Sequence, residues 1–218
     1  MEEEIKEGEE QEPWYKGPIK YIIMLFLILL IVLWVFPSYS VKLDPEPKRI
    51  AKINEVLPQN FAVENRNFTL KAKKDFVTFV NPSDPIIKQI ATKIATLSCD
   101  GNIICQAKAI YYFVRDNIEY VADPVNFEYV EDPTEVLSSA GGDCESGTLL
   151  LASLMEAIGV DAELVFIPGH AFLRIRLDDA LKKYKAGEWI YLDWTCKTCR
   201  FGEIPLSDKN KEMRFLGV

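Results

Sequence analysis

The chain runs to 218 residues, enough for one ordinary domain with something left over, and 49% of them are hydrophobic. Its net charge is −8, and half of that charge falls in residues 1–20, where seven Glu face three Lys. No basic run or aromatic-basic stripe supports a nucleic-acid partner, and neither GxxxxGK[ST] nor GxGxxG occurs to suggest a nucleotide site.

Residues 1–18 read as an acidic, disordered tail. The run YIIMLFLILLIVLWVF (21–36) carries no charge and spans about 24 Å as a helix, a little short of a ~30 Å hydrocarbon core. Ile19 lengthens it and Lys20 can snorkel, so residues 19–36 are expected to cross a bilayer. Trp14, Tyr15 and Tyr39 suit its two interfaces. Ser38-Tyr39-Ser40 would fit a signal-peptide cleavage site, but an acidic leader is atypical there, and an uncleaved anchor is the better reading. Three Lys precede the span and four basic residues soon follow it, so charge does not orient it. A large domain behind a single anchor favours an extracytoplasmic position. Pro37, Pro45, Pro47 and Pro58 mark 37–59 as a stalk, leaving 60–218 for the domain.

FAVENRNFTLKAKKDFVTFV (61–80) is partly alternating and predicts one or two strands. Ser83 or Asp84 caps a helix with Pro85 in its first turn, running to about Leu97. Ile103, Ala107, Ile110, Tyr111 and Val114 predict a second helix over 103–117. Asp132-Pro133-Thr134 opens a short helical turn. In the C-terminal third, AELVFI (162–167), HAFLRIRL (170–177) and EWIYLDWT (188–195) read as strands, with a Pro168-Gly169 turn between the first two. Pairing the last two antiparallel places Asp193 opposite or diagonal to His170, about 5–8 Å apart.

The most informative stretch is GGDCESGTLLLASLMEAIG (141–159). Asp143 is a good N-cap and Gly159 a good C′ residue for a helix from Cys144 to Ile158. Leu149, Leu150, Leu151, Leu154, Met155 and Ile158 leave it little polar face, as befits a buried central helix. Cys144 then lies where free N–H groups and the helix dipole lower a thiol's pKa. Gly141 and Gly142 are expected to let the chain turn sharply before it. A nucleophilic thiol needs a base, and the chain holds one histidine, His170, with Asp193 beside it to fix the imidazole.

FVRDNIEYV (113–121), DPTEVL (132–137), GGDCESGTLLLASLMEAIGV (141–160), GHAFLRI (169–175) and YLDWT (191–195) together resemble the transglutaminase-like superfamily, over about residues 100–196. They are most similar to its archaeal and bacterial members. The resemblance implies an α+β, papain-like core: a central helix bearing Cys packed on an antiparallel sheet bearing His and Asp. It implies Cys144 as nucleophile, His170 as general base and acid, and Asp193 as its orienter. Peptidases, amidases and amide-transferring crosslinkers of that kind work through a thioester on a peptide or protein substrate, with no cofactor. Phe172 stands where the family often has Trp, and Trp194 where Pro is common, which leaves substrate choice open. The alternative is a non-catalytic peptide-binding or scaffold domain on the same fold.

Cys99, Cys105, Cys196 and Cys199 remain. They suit one or two disulfides, a structural zinc site or free thiols, although Cys99-x5-Cys105 is wide for zinc. Arg174 and Arg176 share the His170 face and read as solvated strand charges. Trp189, Tyr191 and Trp194 read as core and rim packing, and Asp143 as a cap.

Overall fold

Side-chain caps decide where the helices begin. In a computed structural model, which describes residues 17–59, 61, 73–124 and 129–218, Asp84 accepts the N–H groups of Ile86 and Ile87 and opens α3 (Pro85–Ser98). Asn102 does the same for Ile104 and Cys105 at α4 (Ile103–Asn117). Asp132 and Glu135 form a reciprocal capping box at α5 (Pro133–Ser139), and Asp143 caps α6 (Cys144–Ala157). The predicted helices thus lie where their caps and periodicity put them.

The chain divides at Leu43/Asp44 into two units. The first holds α1 (Ile19–Leu43), whose Ile19–Phe36 stretch is apolar, wholly exposed and long enough to cross a membrane. The second holds the α+β domain. Only part of the predicted strand region 61–80 is described. Its end is a 3-10 helix, Lys73–Phe79, because Phe76 and Phe79, three residues apart, both turn into the core. Residues 62–72 lie outside the described residues, as do 1–16 with most of the acidic tail and the expected interface residues Trp14 and Tyr15.

The stalk expected over 37–59 is corrected in two ways. Helix α1 continues to Leu43, and residues 44–59 pack onto the domain. Ala51 and Val56 are fully buried, the latter in a single turn, α2 (Ile53–Val56). The Asn117 side chain donates to Ala51 O and accepts from Ile53 N. Lys108 is buried in α4 and binds Asp44, Glu46 at 2.6 Å and the Tyr184 hydroxyl. A buried ammonium requires such partners, and most of them come from the supposed stalk.

Two sheets set the scaffold for the site. β1 (Glu119–Tyr120) and β2 (Gly141–Gly142) run parallel. The larger sheet is antiparallel, in the order β5-β4-β3-β6, from β3 (Ala162–Ile167), β4 (His170–Arg176), β5 (Trp189–Leu192) and β6 (Arg214–Gly217). β3 and β4 form the predicted hairpin, with Gly169 at φ +74° in its turn. β5 stops at Leu192, short of the predicted Thr195, and β6 has no counterpart in the sequence reading.

Alternation gives the sheet two faces. Leu164, Phe166, Ala171, Leu173, Ile175, Ile190 and Leu192 join the main core under α6, which also packs against α3, α4 and α5. Val165, Ile167 and Phe172 form a small second cluster, covered by Ile204 and flanked by Tyr191 and Met213. Arg174 on this face bonds Glu163 and stacks over Trp189 and Phe215, with its side chain 13% exposed, so it is a packed residue rather than a solvated charge. Arg176 does lie exposed, beside Asp161.

Candidate active site

Ala140, with φ +53°, makes the bend before α6; the two glycines after it are extended in β2. They do not supply the sharp turn expected of them. Glycine serves closeness instead, since a Cβ on Gly141 would stand 3.2 Å from the Val121 side chain. Val121 N donates to Gly142 O, tying residues 119–121 alongside the start of α6.

Asp143 accepts the Ser146 N–H at 2.8 Å, so its part is that of a cap. Burial, with the charge of Glu145 adding to it, pushes the Asp143 carboxyl up to about 7. Cys144 follows as the first helical residue, 7% exposed. Its thiol donates to Glu145 Oε2 at 2.7 Å, and its sulfur takes the backbone N–H of Ala171, next to His170. Burial raises the thiol's pKa, and the hydrogen bond and charge of Glu145 raise it further; the Ala171 N–H opposes them. These influences work against a resting thiolate at the helix end. That expectation weighed the dipole and missed both the desolvation and the neighbouring carboxylate.

His170, at the start of β4, is 3.0 Å from Asp193 through Nε2 and Oδ2. An ionised carboxylate only accepts, so Nε2 carries the proton and Nδ1 is the basic atom. Burial works against a charge on the imidazole, but the Asp193 bond and charge prevail, aided by Asp208 and Glu145, and its pKa is raised. Asp193 is 1% exposed and clamped through its other oxygen by the Thr195 N–H at 3.0 Å and the Thr195 hydroxyl at 2.7 Å. Between them, Trp194 donates from Nε1 to Cys144 O at 3.4 Å and lies against Gly147, where an added Cβ would stand 2.2 Å from its ring. The tripeptide Asp193-Trp194-Thr195 thus orients the imidazole, holds the cysteine's turn and fixes the aspartate.

The structure pairs His170 with Asp193, and the backbone N–H of Ala171, next to His170, acts on the Cys144 sulfur. Reading the sequence missed three members: Glu145 on the thiol, Thr195 on Asp193, and Asp208. Asp208, 8% exposed, comes from the C-terminal segment, which carried no motif to announce it. His170, Asp193 and Asp208 each bring a ligand-type atom within 4.8 Å of the others, the one such grouping among the described residues. Its atoms already have protein partners: Asp193 holds His170 and Thr195, and Lys211 bonds Asp208 at 2.7 Å.

Cys99–Cys105 and Cys196–Cys199 are disulfides, which corrects the zinc alternative because paired sulfurs leave no thiolate ligands. The first joins the end of α3 to the start of α4; the second follows directly on Thr195. Cys199 O accepts from the Tyr111 hydroxyl, which also bonds Asp193 O.

Residues 88–194 match the family model of the transglutaminase-like superfamily. Over that span the chain is transglutaminase-like. The matched span holds Cys144, His170 and Asp193 and ends before Thr195 and Asp208. Among solved structures, a candidate protease from Parabacteroides distasonis is 18% identical with a TM-score of 0.43, over 55% of this chain and 25% of that one. A candidate cysteine protease from Cytophaga hutchinsonii is 19% identical with a TM-score of 0.40, over 58% of this chain and 44% of that one. Legionella pneumophila LapG is 13% identical with a TM-score of 0.42, over 75% and 82%. The chain spans a quarter of the first and less than half of the second. No curated protein matches it.

Proposed function

We propose that the transglutaminase-like domain is a membrane-anchored thiol enzyme that acts on peptide or other amide bonds through a thioester on Cys144. The observation that carries this reading is the His170–Asp193 pair, 3.0 Å apart, set one residue from the backbone N–H that touches the Cys144 sulfur. In the first step the Cys144 proton passes to His170 Nδ1 and the thiolate attacks the carbonyl carbon. Asp193 stabilises the resulting imidazolium. The C–N bond then breaks, the amine leaves with the His170 proton, and the acyl group remains on sulfur. Water, deprotonated by His170, attacks the thioester, the C–S bond breaks to release the acid, and the sulfur takes back the His170 proton; an amine in place of water would give transfer. Hydrolysis is preferred because water is always present.

Residues 116–173 hold twelve Asp and Glu and no Lys or Arg. Asp143 and Glu145 flank Cys144, and the charges that act most on nearby Tyr120 include these two and Asp123. Carboxylates so placed beside Cys144 favour substrates bearing Lys or Arg near the scissile amide. Residues 19–36 would anchor the enzyme in the bilayer, and two disulfides support an oxidising, extracytoplasmic position for the domain.

A second reading, a peptide-binding domain without catalysis, draws support from the thiol's raised proton affinity. Alkylation decides between them, since Cys144 is the free cysteine and the other four are paired. Without reductant, labelling of the full chain in detergent micelles reads Cys144 alone. An enzyme labels measurably below pH 8 and loses about a hundredfold or more on His170→Ala. Labelling that rises only at alkaline pH and ignores His170 would leave the binding domain.

A further inference from the structure

The raised proton affinity of the Cys144 thiol poses a problem for the proposed enzyme, and Asp208 offers its solution. The proton must move from Cys144 to His170, and whatever steadies the imidazolium makes that move easier. Asp193 does so directly. Asp208 reaches the same imidazole from a separate part of the chain, the segment between β5 and β6, beyond the family match. Asp208 is 8% exposed, so water screens its carboxylate little.

Its position is built. Asp208 N donates to Pro205 O, Lys211 N donates to Asp208 O, and the Lys211 ammonium bonds Oδ1 at 2.7 Å. Ile204 anchors the same segment on Phe172, whose ring lies 5.8 Å from that of His170. The charged groups that bear on His170 are Asp193 after β5, Asp208, which Lys211 pairs from behind, and Glu145 from α6.

We propose that Asp208 is a positioning residue, a second carboxylate for His170 that favours transfer of the Cys144 proton to Nδ1. The step balances without a further reactant: an S–H and a neutral imidazole become a thiolate and an imidazolium. The proposal rests on Cys144 and His170 being partners, and its test is separable from that premise.

His170 is the one histidine in the chain, so its imidazole gives a single resolved NMR titration. The full chain in detergent micelles, carrying Cys144→Ala to remove the neighbouring thiol, is titrated with Asp208→Asn and, separately, with Lys211→Met. Asp208→Asn is expected to lower the imidazole midpoint by about one pH unit. Lys211→Met removes the cation that offsets Asp208, and is expected to raise it. Opposite shifts from two neighbouring positions are not what a general loosening would give. If Asp208→Asn does not fold, Lys211→Met alone decides: a rise supports the proposal, and no change or a fall overturns it. An unmoved midpoint in Asp208→Asn also overturns it. With Cys144 restored, Asp208→Asn is expected to slow alkylation at pH 7 about tenfold, the same shift read at sulfur. Failure of the enzyme reading would show elsewhere, as alkylation indifferent to His170→Ala.

Discussion

The two faces of the four-stranded sheet are built to different ends. Under α6, Leu164, Leu173, Ile175, Ile190 and Leu192 enter one continuous core with the helices, and each is at most 1% exposed. The opposite face has four buried residues in its cluster, Val165, Ile167, Phe172 and Ile204, covered by the C-terminal segment. The first face can lose little without loss of fold, since packed cores resist changes of even one methylene. By strand alternation the second carries His170, and Asp208 arrives there from the covering segment. The paired polar groups sit where the packing is thin and each can find its own partner.

The strongest test of the first face is Gly147→Ala. An added Cβ would meet the Trp194 ring 2.2 Å away, and that ring is fully buried. Overpacking usually costs about 1–3 kcal/mol, and a contact this close should reach or exceed the top of that range. Loss of the cooperative thermal transition, or a fall of more than ~10 °C in Tm, is expected. A variant of unchanged Tm would mean that Trp194 is not held against α6.

Neighbouring residues on β4 sharpen the contrast. Leu173→Ala empties part of the main core and should lower stability by about 2–5 kcal/mol in denaturant unfolding. Its Cys144 labelling, counted per folded molecule, should be unchanged. Phe172→Leu should cost less, about 1.5 kcal/mol or below. It nevertheless removes the ring beside His170, so it should change the pH dependence of labelling. Equal effects of both on labelling would erase the distinction between faces.

These contrasts also explain what the sequence disclosed. α4 and β3 have the predicted ends, and α6 stops one residue early, because cap and period agree at each boundary. The His170–Asp193 pairing was legible because a strand register carries information from β4 to the end of β5. Thr195 was within reach too, two residues beyond Asp193 in a motif already singled out. Asp208 and β6 were not legible: their partners lie far away in sequence and neither shows alternation or a motif. The Phe76–Phe79 helix hid behind residues of high strand propensity, where tertiary burial overrode local preference. The thiol was misjudged for a related reason. Dipole and cap are local to α6, whereas burial of the sulfur comes from the whole domain.

Glu145 gives the smallest and most discriminating effect. Its Oε2 accepts the Cys144 S–H at 2.7 Å, and both that bond and its charge favour the protonated sulfur. Glu145→Gln removes the charge and offers an N–H donor to a thiolate, so the thiol's pKa should fall. Alkylation at pH 7 should then rise by about tenfold, about 1.4 kcal/mol, with stability changed by ~0.5 kcal/mol or less. A rise makes Glu145 a brake on the resting thiol, which a cationic substrate group would release by pairing with the carboxylate. A fall would have the opposite meaning: Glu145, and not His170, would be the group that takes the cysteine's proton. The far face would then position an imidazole for the leaving amine alone, and the division of labour between the two faces would have to be redrawn around α6.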